Sequence, residues 1–132
     1  MIPEALLQRI SQLADEKHAT HPRALDLAAV SSFADYFFIC TAESTRQAQA
    51  IADHITETIK KETGRRPLGQ EGYQAGEWIL VDLDEVIVHI FTPQLREYYR
   101  IEALWEEAAE VELEIPHYQR GQSTQSPLSD AD

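Results

Sequence analysis

A single cysteine, Cys40, stands in a chain of 132 residues, so an intramolecular disulfide and a cysteine-rich zinc site are both excluded. Cations are scarce as well. Eleven Lys and Arg face 23 Asp and Glu, a formal charge of −12, and a surface of that sign repels phosphate backbones over most of its extent. A nucleic-acid groove is therefore a poor first reading. No run approaches the ~20 apolar residues of a membrane helix. Met1-Ile2-Pro3-Glu4 lacks a basic stretch leading into an apolar one, so nothing signals export and a cytoplasmic setting is expected. The five glycines compose no Walker loop, no GxGxxG and no GxSxG, which removes the usual anchors of ATPase, dinucleotide and hydrolase readings. What is present is a 43% hydrophobic, 26% charged composition, enough for one cored domain and, at this length, not for two.

Hydrophobic spacing predicts the elements. Leu6, Leu7, Ile10, Leu13, Ala14 and Lys17 recur at helical intervals behind Pro3, predicting a first amphipathic helix over 3–18. His21-Pro22 ends it, and 23–28 alternate as a short strand. Residues 36–41, Tyr-Phe-Phe-Ile-Cys-Thr, predict a strand buried on both faces beside the first. Ser44-Thr-Arg-Gln47 has capping-box form and opens a helix with the stripe Ala48, Ile51, Ala52, Ile55, Ile59, ended by Gly64. A short third strand is expected at 67–69, followed by the loop 70–73. Residues 78–82 and 86–91 predict an antiparallel hairpin inside the sheet, apolar on both faces. Thr92-Pro93 begins a helical stretch carrying Leu95, Tyr98, Tyr99, Leu104 and Trp105. The order implies an α/β fold with a mixed sheet of about five strands packed by helices. Residues 1–108 form the expected domain and 109–132 an acidic to polar tail. The segment 106–114 is open between an extended helix and, from the alternation over 111–115, a short strand, and disorder is expected from about 116.

Few residues carry catalytic promise. Asp82 and Asp84, two apart, would point the same way on a strand and share a metal ion as in nucleotidyl transfer. The loop Thr41-Ala42-Glu43-Ser44, however, offers no glycine and an extra carboxylate where triphosphate would bind. Turn geometry is the simpler role for both aspartates. His89 and Cys40 invite a Cys-His nucleophile, yet a thiol in an apolar strand is inert and His89 reads as a buried, hydrogen-bonded side chain. The other histidines form no metal set, and no cofactor is expected. Trp78 stands apart. An amphipathic ring framed by Glu71, Glu77, Asp82 and Asp84 suits a surface that binds a basic protein, the ring supplying burial and the carboxylates steering approach.

Several strings, taken in order, carry more than any single motif. They are Ser31-Ser-Phe-Ala-Asp-Tyr36, Ile39-Cys-Thr-Ala-Glu-Ser-Thr-Arg-Gln47, Ile51-Ala-Asp53, Pro67-Leu-Gly-Gln-Glu-Gly72, Glu77-Trp-Ile-Leu-Val-Asp82, Val86-Ile-Val-His-Ile-Phe91 and Tyr98 through Leu104-Trp105. Over residues 3–108 they closely resemble the ribosomal silencing factor (RsfS, or Iojap) family. That resemblance implies a fold related to nucleotidyltransferases without their active site, and a protein that is not an enzyme. It further implies binding to the small basic protein fourteen of the large ribosomal subunit. Subunit joining would be blocked sterically and translation repressed when nutrients are limiting. Family members often form homodimers. Carried onto this chain, the contact surface would hold Trp78 as anchor, Glu71, Gly72, Asp82 and Asp84 around it, and Tyr98 and Tyr99 at its margin. One departure stands out. The hairpin turn reads Leu83-Asp84-Glu85 where the family often has a glycine.

Overall fold

A computed structural model describes residues 1–115. Helix α1 spans Pro3–Glu16, two residues shorter than its apolar spacing suggests, because the chain turns away through Lys17 and His18, the latter at φ 67°. Strand β1 (Thr20–Asp26) runs antiparallel to β2 (Tyr36–Thr41), pairing Ala24 with Phe38 and Asp26 with Tyr36 across a register irregularity between Thr20 and Arg23. Helix α2 (Thr45–Thr63) is capped by Ser44, whose Oγ accepts the Gln47 N–H at 3.1 Å. The reciprocal bond falls one residue earlier than a standard capping box: Gln47 Oε1 accepts the Glu43 N–H at 2.7 Å. Gly64, at φ 78°, ends the helix as its periodicity predicts.

Strand β3 is Gly69–Glu71, later than the expected 67–69. It pairs antiparallel with β4 (Trp78–Asp82), which forms the predicted hairpin with β5 (Val86–Phe91). β5 and β2 are parallel neighbours at the centre of the sheet. Only β5 is buried along its whole length; in β4 full burial alternates with half-burial, so one of its faces is incompletely covered. The helical stretch after Thr92 is two pieces, α3 (Pro93–Tyr99) and α4 (Ile101–Leu104), broken where Arg100 adopts φ 47°. A sixth strand, β6 (Ala109–Glu110), adds to β1, so the sheet order is β3-β4-β5-β2-β1-β6 and the count of about five strands is low by one. The reason is local: two residues have no readable period, and tertiary pairing alone makes them a strand.

The domain drawn at 1–108 continues into this segment. Val111 N–H donates to the Ala24 carbonyl at 2.9 Å, the Gln8 side chain bonds Glu112 and Glu114 backbone, and Ile115 is buried. The expectation of disorder from about 116 lies outside the described residues.

Two cores flank the sheet. On one face α1 and α2 bury Leu6, Leu7, Ile10, Leu13, Ile51, Ile55 and Ile59 against Phe38, Cys40, Ile79, Val81, Val88 and Ile90. On the other, Leu25, Phe37, Ile39, Ile87 and Phe91 are covered by Ile101 and by partly buried Trp78, Leu80, Leu95 and Trp105. Among the described residues no helix as long as α1 lies over this second face, and α3 buries none of its residues fully. It is the thin side of the molecule, and the site residues gather there.

Candidate functional site: an aromatic sheet face with an acidic rim

Strand alternation decides which side chains share the thin face. Trp78, Leu80 and Asp82 are the half-buried positions of β4, while Ile79 and Val81 turn into the two-helix core. Antiparallel pairing sets Glu71 opposite Leu80, which puts Glu71 on the face of Trp78 and Asp82. On β5 the same face carries Ile87, His89 and Phe91, with His89 paired opposite Leu80 and Phe91 opposite Trp78.

The centre of the face is a stack of rings. Trp78 lies on Phe91 with centroids 4.9 Å apart and 25° between planes, and Tyr99 of α3 reaches it at 4.8 Å. Tyr98 meets Tyr99 edge-on at 4.9 Å. Further along, Phe37 packs against both His89 (4.6 Å) and Trp105 (5.5 Å). Exposure rises outward: Trp78 is half-buried, Tyr99 is 44% exposed and Tyr98 78%, with Leu104 at 76% and Phe33 at 58%. Trp78 thus joins core to surface, and the most exposed apolar groups among these are Tyr98, Leu104 and Phe33.

Trp78 is fixed by more than stacking. Its indole Nε1–H donates to His89 Nδ1 at 3.1 Å, which leaves the imidazole proton on Nε2 when the ring is neutral. Burial holds the His89 pKa down at about 4, with the Glu102 carboxylate pulling weakly the other way. The sign of the consequence follows from linkage. An unfolded histidine takes up a proton near its ordinary 6.5, the folded one only near 4, so stability is fully present above pH 6.5 and is lost as pH falls toward 4. The loss is expected to reach about 3 kcal/mol. Urea unfolding of the wild type and of His89→Asn at several pH values checks this. The asparagine variant keeps an acceptor for Trp78 and should lack this component of the slope; parallel pH profiles would contradict it.

The loop joining β3 to β4 positions Glu71 and Trp78. Gly72, at φ 79°, lies so close to the Trp78 backbone that a Cβ there would fall 2.0 Å from the Trp78 carbonyl oxygen. Gly72 therefore shapes the site and offers no side chain to a partner. Tyr73 Oη donates to Asp53 Oδ2 at 2.9 Å, and Gln49 Nε2 donates to the Tyr73 carbonyl at 2.8 Å, tying the loop to α2.

The rim is acidic. Glu71, Glu77 and Asp84 are exposed and Asp82 is half-buried. Asp82 and Asp84 are not the aligned strand pair that nucleotidyl transfer requires. Asp82 ends β4, Asp84 lies in the hairpin turn at φ 76°, and Asp82 Oδ1 accepts the Asp84 N–H at 2.8 Å. The aspartate occupies the left-handed position where glycine is favoured, and its neighbour's carboxylate holds it there. Cys40 and His89 are likewise separated. Cys40 faces the two-helix core with its thiol pushed up to about 12 by burial, whereas His89 faces the aromatic side. Among the described residues no three His, Cys, Asp or Glu side chains gather as a metal site, and no helix there is long and apolar enough to cross a membrane.

Sequence reasoning singled out Trp78, Glu71, Asp82, Tyr98 and Tyr99, which the fold brings to one face. It missed Leu80 and the Trp78–His89 bond. The alternation of β4 carried the first signal; no sequence feature announced the second, which depends on cross-strand register.

Comparison with known proteins agrees with this architecture. A family described as "Ribosomal silencing factor during starvation" matches residues 2–132. The chain is 40% identical over 114 residues to ribosomal silencing factor RsfS of Halalkalibacterium halodurans, covering 86% of this chain and 97% of that one. It is 38% identical over 115 residues to RsfS of Bacillus subtilis, 87% of this chain and 97% of that one. A crystal structure of a Chromobacterium violaceum protein, 29% identical, superposes with a TM-score of 0.77 over 94% of this chain and 98% of that one.

Proposed function

The chain belongs to the ribosomal silencing factor (RsfS) family, and from that membership together with its thin aromatic face we propose that it silences ribosomes by binding the large subunit. Its partner there is the basic protein fourteen, and a seated molecule excludes the small subunit sterically, repressing translation under nutrient limitation in the cytoplasm. The carrying observation is the arrangement on β3, β4 and α3. A half-buried Trp78 and two exposed tyrosines share a face with Glu71 and Asp82, and exposed Glu77 and Asp84 lie just before and just after β4. Aromatic groups of this kind supply apolar burial in an interface, and rim carboxylates steer a basic partner into register. Steric exclusion needs no turnover, metal or cofactor. Exposed Tyr98 and Leu104 on the same side also suit self-association. A homodimer built there would compete with the ribosome for one surface.

The test is co-sedimentation with separated ribosomal subunits, followed by joining assays. The protein is expected to travel with large subunits and not small ones, and to lower monosome formation in proportion to occupancy. Subunits that unite at an unchanged rate in the presence of saturating protein would overturn the proposal.

A further inference from the structure

Charge is distributed unevenly over this chain. Residues 60–66 read Lys-Lys-Glu-Thr-Gly-Arg-Arg, four cations and one carboxylate, +3 in a molecule of −12, so the other 125 residues carry −15. The structure sorts these groups. Glu62 is neutralised by Arg9 at 2.6 Å, and Arg65 pairs with Glu85 while donating to the Leu83 carbonyl at 3.0 Å. Lys60, Lys61 and Arg66 are exposed, and none forms an ion pair with a described residue. Lysines in a last turn favour a helix C-terminus, which accounts for part of Lys60 and Lys61. Arg66 lies two residues beyond Gly64, outside the helix, where that explanation does not reach.

Position adds to charge. The bonds from Arg65 to Leu83 and Glu85, and from Leu68 N–H to the Asp82 carbonyl at 2.8 Å, fix the segment at the turn end of the β4–β5 hairpin. This is the end at which the acidic rim finishes in Asp82 and Asp84. A cationic edge therefore adjoins an anionic face.

Resting on the proposal that the acidic face seats on a basic protein of the large subunit, we infer that Lys60, Lys61 and Arg66 make a second contact, to the phosphate backbone of the ribosomal RNA beside that protein. An acidic body approaching a basic ribosomal protein meets repulsion from the RNA around it. Three cations that pair with no described carboxylate, in and just beyond the last turn of α2 and next to the segment held at the hairpin turn, reverse that sign locally. Lys60 and Lys61 are exposed point charges and Arg66 an exposed planar fork, both suited to sequence-independent phosphate contact.

Lys60→Gln/Lys61→Gln/Arg66→Gln, Lys60→Arg/Lys61→Arg and wild type are compared by sedimentation with intact large subunits between 50 and 200 mM salt. Each is also titrated onto the isolated basic ribosomal protein. Each lost phosphate contact lowers the logarithmic salt slope by roughly 0.7 to 0.9. Wild-type affinity should therefore fall about 20- to 40-fold more steeply over this range than that of the glutamine variant. The arginine variant should follow wild type, and all three should bind the isolated protein equally. Ultraviolet crosslinking of the wild-type complex should join the 60–66 peptide to RNA. Equal salt slopes for wild type and the glutamine variant, or crosslinks from this peptide only to an acidic protein, would overturn the inference and leave the preceding proposal intact. Wild-type protein that fails to sediment with large subunits would remove the preceding proposal and this one with it.

Discussion

Trp78→Ala is expected to lower stability by about 3 to 4 kcal/mol and to weaken large-subunit binding together with it. Truncating a packed tryptophan costs ~3–5 kcal/mol in a closed core, and the half-buried position here draws the figure toward the lower end. Loss of the indole donor then raises it again, because His89 Nδ1 is left buried without its partner. The sequence alone presents Trp78 as a surface anchor. Its contacts with Phe91, Tyr99 and His89 show that the ring is also structural. Trp78→Phe separates the two roles, keeping most of the stack while deleting the donor, at an expected cost of about 1 kcal/mol. Urea midpoints of the three proteins give the stabilities, and titration onto large subunits under conditions where each is folded gives the binding. An alanine variant with the wild-type midpoint would show that the stack contributes nothing to the fold. A stable phenylalanine variant that binds as tightly as wild type would place the binding energy in ring area and not in the indole.

Gly72→Ala is expected to cost about 3 kcal/mol or more. Two effects add there: a positive φ that disfavours any side chain, and a Cβ that must displace the Trp78 carbonyl from 2.0 Å. Gly64→Ala is the matched control. Its φ is nearly the same at 78°, but nothing lies within 4 Å of the added Cβ, so only the conformational cost of about 1 kcal/mol remains. The difference between the two variants in chemical denaturation isolates the steric part. Similar losses at both positions would mean that the β3–β4 loop moves aside without penalty. The strain should also reach the site, since the loop holds Glu71 and Trp78 on one face, and the Gly72 variant is expected to bind large subunits more weakly than its stability alone implies.

These two positions illustrate how the site was legible. Trp78 among carboxylates can be read directly, because residue type and near-neighbour charge are properties of the string. Gly72 reads from the sequence as part of a contact surface, whereas the structure gives it a different task. It lets the loop backbone just after β3 pass against the carbonyl at the start of β4. Asp84 is a parallel case. The string shows a missing glycine, and only the turn shows an aspartate held in the left-handed region by Asp82.

The sequence by itself determined the first two helices, the central strands and the acidic balance. Those features rest on periodicities of 3.6 and 2, on caps and on composition, all of them local. Tertiary structure decided which faces meet: that Cys40 and His89 lie on opposite sides of the sheet, and that His89 accepts from Trp78. It also made Ala109–Glu110 a strand and held the 60–66 segment, through Arg65, at the turn end of the β4–β5 hairpin. Each of these depends on register and crossing between segments distant in the chain. A period fixes the face within its own element; pairing and packing fix what that face touches.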